Sequence, residues 1–287
     1  LDSKKNWATS RPSHPPSLFG MPERIANLPP EGFVRVRMTV AYDGTPFSGF
    51  ATNPDVRTVQ DELEGALTTV LRHPVRITCA GRTDRGVHAY GQVISFDADA
   101  GHFEPFALTR AMNRMLHPSI SVHDVAEALP EFDARFSCIG RSYRYRILNS
   151  PVFDPLLANL TWHVREPLEL ASMRTAADRI IGLHDFSSFS KRNKSKPAET
   201  YVRTVKRAEW SRHGDTLQLE ITASAFTHQM VRSLVGLFVE IGRGSRRAVD
   251  MGDALAVKDR AAVGSPAPPQ GLVFVKAHYA ALPHPNE

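Results

Sequence analysis

From Phe33 to Ala41 apolar and polar residues alternate without a break, Val34, Val36, Met38 and Val40 set against Arg35, Arg37 and Thr39. A period of two marks a strand with one face in a core and the other toward solvent. This strand opens an order of elements that constrains the fold more than any other feature of the chain. A helix is expected from Thr58 to His73, started by Thr58 with Asp61 three residues on and striped by Val59, Leu63, Leu67, Val70 and Leu71. Strands follow at Val75 to Cys79 and Gly91 to Asp97, then a helix from Phe106 to Leu116 and a strand at Ile120 to Ala126. The order is β-α-β-β-α-β.

The second half repeats it. Arg141 to Asn149 is a strand, and Leu168 to Gly182 a helix with Met173, Ala177, Ile180 and Ile181 inward. Strands at Tyr201 to Ser211 and Thr216 to Ala223 are joined by the turn HGD. A helix from Phe226 to Ile241, an inserted helix at Met251 to Val263 and a strand at Leu272 to Tyr279 complete the unit. The expected fold is α+β: two ferredoxin-like halves sharing a mixed sheet, helices over one face, and a cleft between the halves wide enough for a large ligand. The boundaries fall at residues 33–138 and 139–283, with a short tail at 284–287. Residues 1–32 are rich in proline, serine and glycine without periodicity, and are expected to form a disordered or loosely attached extension.

Composition narrows the chemistry. No apolar run approaches a membrane span, and two cysteines build neither a zinc site nor a disulfide framework, so a reducing cytoplasm is expected. There is no P-loop, no GxGxxG opening a helix, no HExxH and no CxxC, and twelve histidines lie scattered without ligand spacing. These patterns favour a reaction that needs no cofactor and no metal. The net charge is +5, and its cations cluster at Arg141, Arg144 and Arg146, at Lys191, Arg192, Lys194 and Lys196, and at Arg203, Lys206 and Arg207. Both a nucleic-acid partner and a solvated basic face fit such clusters.

Three segments could carry the chemistry. AGRTDRGVHA, Ala80 to Ala89, sets two glycines, two arginines, Asp84 and His88 in a turn between strands. Glycines let a backbone turn sharply and let a ligand approach it, while Arg82 and Arg85 can hold Asp84 ionised and contact phosphate. An aspartate serving only the turn's own N–H groups fits the same residues. In AFTHQMVRSLVG, His228, Arg232 and Gly236 are spaced four apart on one helical face, and a glycine one turn beyond an arginine permits close approach. In RSYRYRI, Tyr143 and Tyr145 share one strand face and Arg144 and Arg146 the other. That arrangement suits base stacking with phosphate contacts, and equally a half-buried strand.

Taken in order, AYDGTPFSGF, TVQDELEGAL, AGRTDRGVHAYGQV, DARFSCIGRSYRYRI, GLHDFSSF, AFTHQMVRSLVG and APPQGL resemble the TruA-type tRNA pseudouridine synthases over nearly the whole chain after the N-terminal extension. The resemblance implies the same fold and a homodimer sharing each tRNA. It implies isomerisation of uridine to pseudouridine at positions 38, 39 and 40 of the anticodon stem-loop, with no cofactor and no metal. It places the catalytic aspartate at Asp84, its arginine partner at Arg232, the active-site tyrosine at Tyr143 and the arginine that assists base extrusion at Arg82. Tyr143 is expected to stack on the flipped base and to accept the C5 proton. Thr83, Arg85, His88, Arg141, Lys191, Arg192 and Lys194 are expected, with Arg82, to contact the RNA. Two residues depart from the pattern, Arg85 where many members carry alanine and Ala51 where glutamine is common. Two other classes stay open at this point. One is a tRNA-binding protein without catalysis. The other is a nucleosidase, which would want a second carboxylate near Asp84; Asp97 and Asp99 are the nearest in sequence.

Overall fold

The computed structural model describes residues 28–191 and 200–280. The extension expected at residues 1–32 therefore lies almost wholly outside the described residues, as do the tail at 284–287 and the cations Arg192, Lys194 and Lys196. The first half runs β1 (Phe33–Tyr42), α1 (Val59–Leu71), β2 (Thr78–Cys79), β3 (His88–Asp99), α2 (Pro105–Leu116) and β4 (Ile120–Glu127). The second runs β5 (Cys138–Asn149), β6 (Trp162–Val164), α3 (Leu170–Asp178), β7 (Gly182–Asp185), β8 (Val202–His213), β9 (Thr216–Ala223), α4 (Met230–Gly242), α5 (Asp250–Val257) and β10 (Leu272–Tyr279).

All the strands belong to one mixed sheet with the spine β4-β1-β3-β10-β5-β9-β8-β7. In the first half β4, β1, β3 and β2 stand side by side, and in the second β10, β5, β9 and β8 repeat that arrangement, with β7 added at the edge. Alternation explains how the sheet is covered. In β9, Leu217, Leu219, Ile221 and Ala223 are buried while Thr216, Gln218, Glu220 and Thr222 are half-buried, so the core lies under one face. The helices supply its other wall: α3 packs on α4 and α1 on α2. The halves meet where β3 and β10 run parallel for only two residue pairs, His88 with Val273 and Ala89 with Phe274.

Several boundaries depart from expectation for local physical reasons. β2 shrinks from the expected Val75–Cys79 because α1 takes its backbone donors. The Ile77 N–H donates to Glu64 Oε1 at 3.1 Å and the Val75 N–H to Thr68 Oγ1 at 3.2 Å. β3 starts at His88, inside the glycine-rich run, three residues before the expected Gly91. The helix expected to reach Gly182 ends at Asp178. Its last N–H groups bond three residues back, Gly182 turns the chain at φ +101°, and Ile181 is exposed rather than inward. The helix expected from Phe226 starts at Met230, because Gln229 is left-handed at φ +64°. Consequently His228 precedes α4 and does not share its face with Arg232 and Gly236. The inserted helix ends at Val257, where Lys258 turns left-handed. β6 and β7, of three and four residues, had no expectation at all.

Glu64 is buried and serves Ile77, Arg76 and Gln60 together. Replacing it with alanine strands a buried N–H, so Glu64→Ala should lower stability by about 2 kcal/mol. Urea denaturation of both proteins measures this directly, and an unchanged midpoint would contradict the part given to Glu64.

Candidate active site

The run Ala80 to Val87 is irregular backbone that is buried at Ala80, Thr83 and Val87, so its inward polar groups need partners. Side chains from several elements provide them. The Gln92 amide donates to the Gly81 carbonyl at 2.5 Å and its oxygen accepts from the Gly81 N–H at 3.3 Å. The Ala80 carbonyl accepts from Arg141 Nε and Nη2 at 3.1 and 2.9 Å. The Thr83 carbonyl accepts from the Phe50 N–H, and the Thr83 hydroxyl bonds the buried Tyr42 hydroxyl at 2.8 Å. A turn closed by Val87 N–H to the Asp84 carbonyl at 3.1 Å then presents the Asp84 side chain outward.

Asp84 is about one quarter exposed, and two groups from the other half face its carboxylate. Arg232 Nη1 lies 3.1 Å from Oδ2, and His228 Nε2 lies 3.5 Å from Oδ1. Arg232 is itself held, donating through Nε to the Ala267 carbonyl at 2.7 Å while its own carbonyl accepts from the Ala267 N–H at 2.9 Å. This loop passes so close to α4 that a Cβ at Gly236 would overlap the Ser265 carbonyl. Glycine one turn beyond Arg232 is thus required by a backbone, as the sequence pattern allowed. Tyr143 is buried between Phe226 and Phe274, each ring 5.0 Å away and nearly perpendicular. Burial pushes its phenol far above the ordinary tyrosine value, with the Asp84 charge adding in the same direction.

The residues singled out from sequence separate into groups. Asp84, Arg232 and Tyr143 come together, and Arg82 and Arg85 stand exposed on the same loop. Three expected RNA contacts are instead internal. Thr83 is buried against Tyr42. His88 is buried with Nδ1 accepting from the Gly44 N–H at 3.0 Å. Arg141 spends its guanidinium on the carbonyls of Ala80, Arg135, Cys138 and Ser224. Tyr145 is likewise core, its hydroxyl donating to the Pro268 carbonyl at 2.8 Å, and is not a stacking platform. Lys191 is exposed, with its N–H on the His228 carbonyl at 3.0 Å. Gln92, Phe226 and Phe274 carry positioning roles that the sequence reading missed. Gln92 had a signal, being a polar residue in register with the core residues Ile94 and Phe96.

A partly exposed carboxylate paired with a fixed guanidinium beside a buried aromatic wall has the chemical make-up for nucleophilic attack or cation stabilisation. The sequence profile described as tRNA pseudouridine synthase matches residues 38–137 and 176–280. A protein named tRNA pseudouridine synthase A from Geobacillus sp. (strain WCH70) is 40% identical over 246 residues, covering 85% of this chain and 98% of that one. Proteins of the same name from Zymomonas mobilis and Methylococcus capsulatus are 40% identical over 246 residues (85% of this chain, 99% of the relative) and 41% over 240 (83% and 87%). The chain belongs to the tRNA pseudouridine synthase family, and it is an isomerase acting on tRNA.

If Arg141 is an internal clamp, Arg141→Met should cost about 2–4 kcal/mol of stability by leaving carbonyls unpaired. The salt dependence of tRNA binding should stay unchanged for protein kept below its melting temperature. Thermal melts together with filter binding across a salt series separate the two roles. A shallower salt slope with full stability would restore Arg141 as an RNA contact.

Proposed function

We propose that this enzyme isomerises uridines 38, 39 and 40 in the anticodon stem-loop of tRNA, with Asp84 as the nucleophile. The observation that carries the assignment of Asp84 is its pairing with Arg232 at the mouth of the site, with one carboxylate oxygen facing Arg232 and the other facing His228. Uridine and pseudouridine contain the same atoms. The C1′–N1 bond must break, the base must turn, a C1′–C5 bond must form, and the proton lost from C5 is matched by one gained at N1. Two entries to this sequence are chemically open to Asp84. In one, a carboxylate oxygen bonds C1′ as the N1 electron pair departs with the uracil ring. In the other, it adds to C6 and the ring electrons move toward C5. Arg232 stabilises the anion before attack and as it is regenerated.

A stacked uridine is out of reach and must be flipped out, at a cost of a few kcal/mol. In this reading Arg82, exposed two residues from Asp84, fills the space the base leaves, and the exposed Arg85 holds a flanking phosphate. Tyr143, in the aromatic wall beside the Asp84 loop, is read as the group that stacks on the flipped base and accepts the C5 proton. We read the working enzyme as a homodimer. Val152, Phe153 and Leu156, exposed together between β5 and β6, offer apolar surface for a second copy.

Asp84→Asn should abolish pseudouridine formation while leaving the dissociation constant for tRNA within about threefold, because one neutralised acid adds no repulsion to RNA. Carbodiimide labelling and primer extension on unmodified tRNA read product and position together. Stops confined to the anticodon stem-loop with the parent enzyme, and absent with Asp84→Asn, are the expected outcome. Stops outside that arm would overturn the substrate positions, and turnover by Asp84→Asn would overturn the nucleophile.

For the oligomer, Leu156→Glu should convert a dimer into a monomer in sedimentation velocity, since a buried unpaired charge opposes association. A parent protein that sediments as a monomer refutes the dimer, and a variant that still dimerises refutes this surface.

A further inference from the structure

The Asp84 carboxylate is held asymmetrically. Arg232 fixes Oδ2, and Arg232 is in turn tied at Nε to the Ala267 carbonyl. A carboxylate held at one oxygen still swings, because the terminal torsion of aspartate is broad and weakly preferred. Among the described residues the other side chain in ion-pairing range is His228, whose Nε2 lies 3.5 Å from Oδ1.

His228 is half-exposed, yet its backbone is pinned on both sides. Its carbonyl accepts from the Lys191 N–H at 3.0 Å, Thr227 before it is buried with its hydroxyl on Ser190, and Gln229 after it is left-handed. The ring is thus delivered to Oδ1 by a fixed segment rather than by a free surface side chain. It reaches the carboxylate from outside α4, ahead of the helix that carries Arg232. Arg232 and His228 consequently approach the two oxygens from different segments, which is what setting the plane of the carboxylate requires.

We propose that His228 is a positioning residue for the reaction, donating through Nε2–H to Oδ1 and turning Asp84 into its attack geometry. The 3.5 Å separation is longer than a settled hydrogen bond, and such contacts shorten when substrate closes a site. This inference rests on Asp84 being the nucleophile. It adds that Arg232 alone does not align the carboxylate, and that the alignment comes from a neutral or charged N–H donor at the position of His228.

The test uses the full-length enzyme with saturating unmodified tRNA in single turnover, alongside filter binding and thermal melts. His228→Ala should slow the rate about tenfold, as expected for a reacting group left slightly misplaced, with tRNA affinity within about twofold and an unchanged melting temperature. His228→Gln, whose amide N–H reaches a similar distance, should recover the rate to within about threefold of the parent. Three outcomes overturn the proposal: His228→Ala as fast as the parent, a loss confined to tRNA affinity, or His228→Gln no faster than His228→Ala. Asp84→Asn run in parallel keeps the two readings apart, since turnover there would refute the nucleophile whatever the His228 variants do.

Discussion

The contact between Asp84 and Arg232 joins residues 148 positions apart, and it exists only because two halves are held in one register. The backbone seam between the halves is slight, two residue pairs between β3 and β10. What completes it is a set of side chains reaching across. Arg141 of β5 binds the Ala80 carbonyl at the foot of the Asp84 loop and the Ser224 carbonyl beyond β9. The segment from Ser265 to Gly271 lies over Gly236, takes the Arg232 and Tyr145 side chains on its carbonyls, and brings Pro269 against Gly86. The guanidinium is anchored at Nε to backbone, and the main chain carrying the carboxylate is fixed by its turn, before the two meet. An ion pair between two preorganised groups loses less conformational entropy than one between free side chains, and its geometry persists when solvent reaches it.

How much of this was legible follows from the range of each signal. Alternation located β1 and the middle of β5, and the expected bounds of β4, β9 and β10 fell within one residue of those observed. Thr58 marked the start of α1 through a local bond to the Asp61 N–H, which sequence spacing reveals. The C-terminus of α3 and the start of α4 were not legible, since they depend on a turning or left-handed residue and not on apolar spacing. Tyr143 and Tyr145 show the limit well. Alternation correctly put both on one face of β5, but it cannot say which face meets the core, and Phe274 and Pro268 settle that from far away in sequence. Arg141 escaped for the same reason: its partners are carbonyls, which leave no trace in composition.

Buried polar side chains turn out to be the clearest internal marker of the site. A buried polar group costs stability unless it is bonded, so a fold retains one where backbone cannot satisfy itself. Gln92 lies among Ile94 and Phe96, Thr83 lies against Tyr42, and Ser190 meets Thr227, and each pair borders either the Asp84 loop or the segment carrying His228. These residues do not touch substrate in the proposed reaction. They replace the ladder bonds that a loop gives up when it leaves the sheet to present Asp84.

The same reasoning sorts the arginines by how their charge is used. Arg35 is buried on Asp97 and the Phe132 carbonyl, Arg141 on four carbonyls, and Arg232 between Asp84 and Ala267. Each has its donors committed inside the protein and little left for phosphate. Asp97, moreover, is committed to Arg35, so it does not supply the second free carboxylate that hydrolytic removal of the base would call for. Arg82 and Arg85 differ: both are exposed beside Asp84, with no hydrogen bond or ion pair among the described residues. A guanidinium without an internal partner at the mouth of a site is free to pair bidentately with an oxyanion. A cationic rim around a single carboxylate draws a polyanion inward while the carboxylate itself stays paired to Arg232.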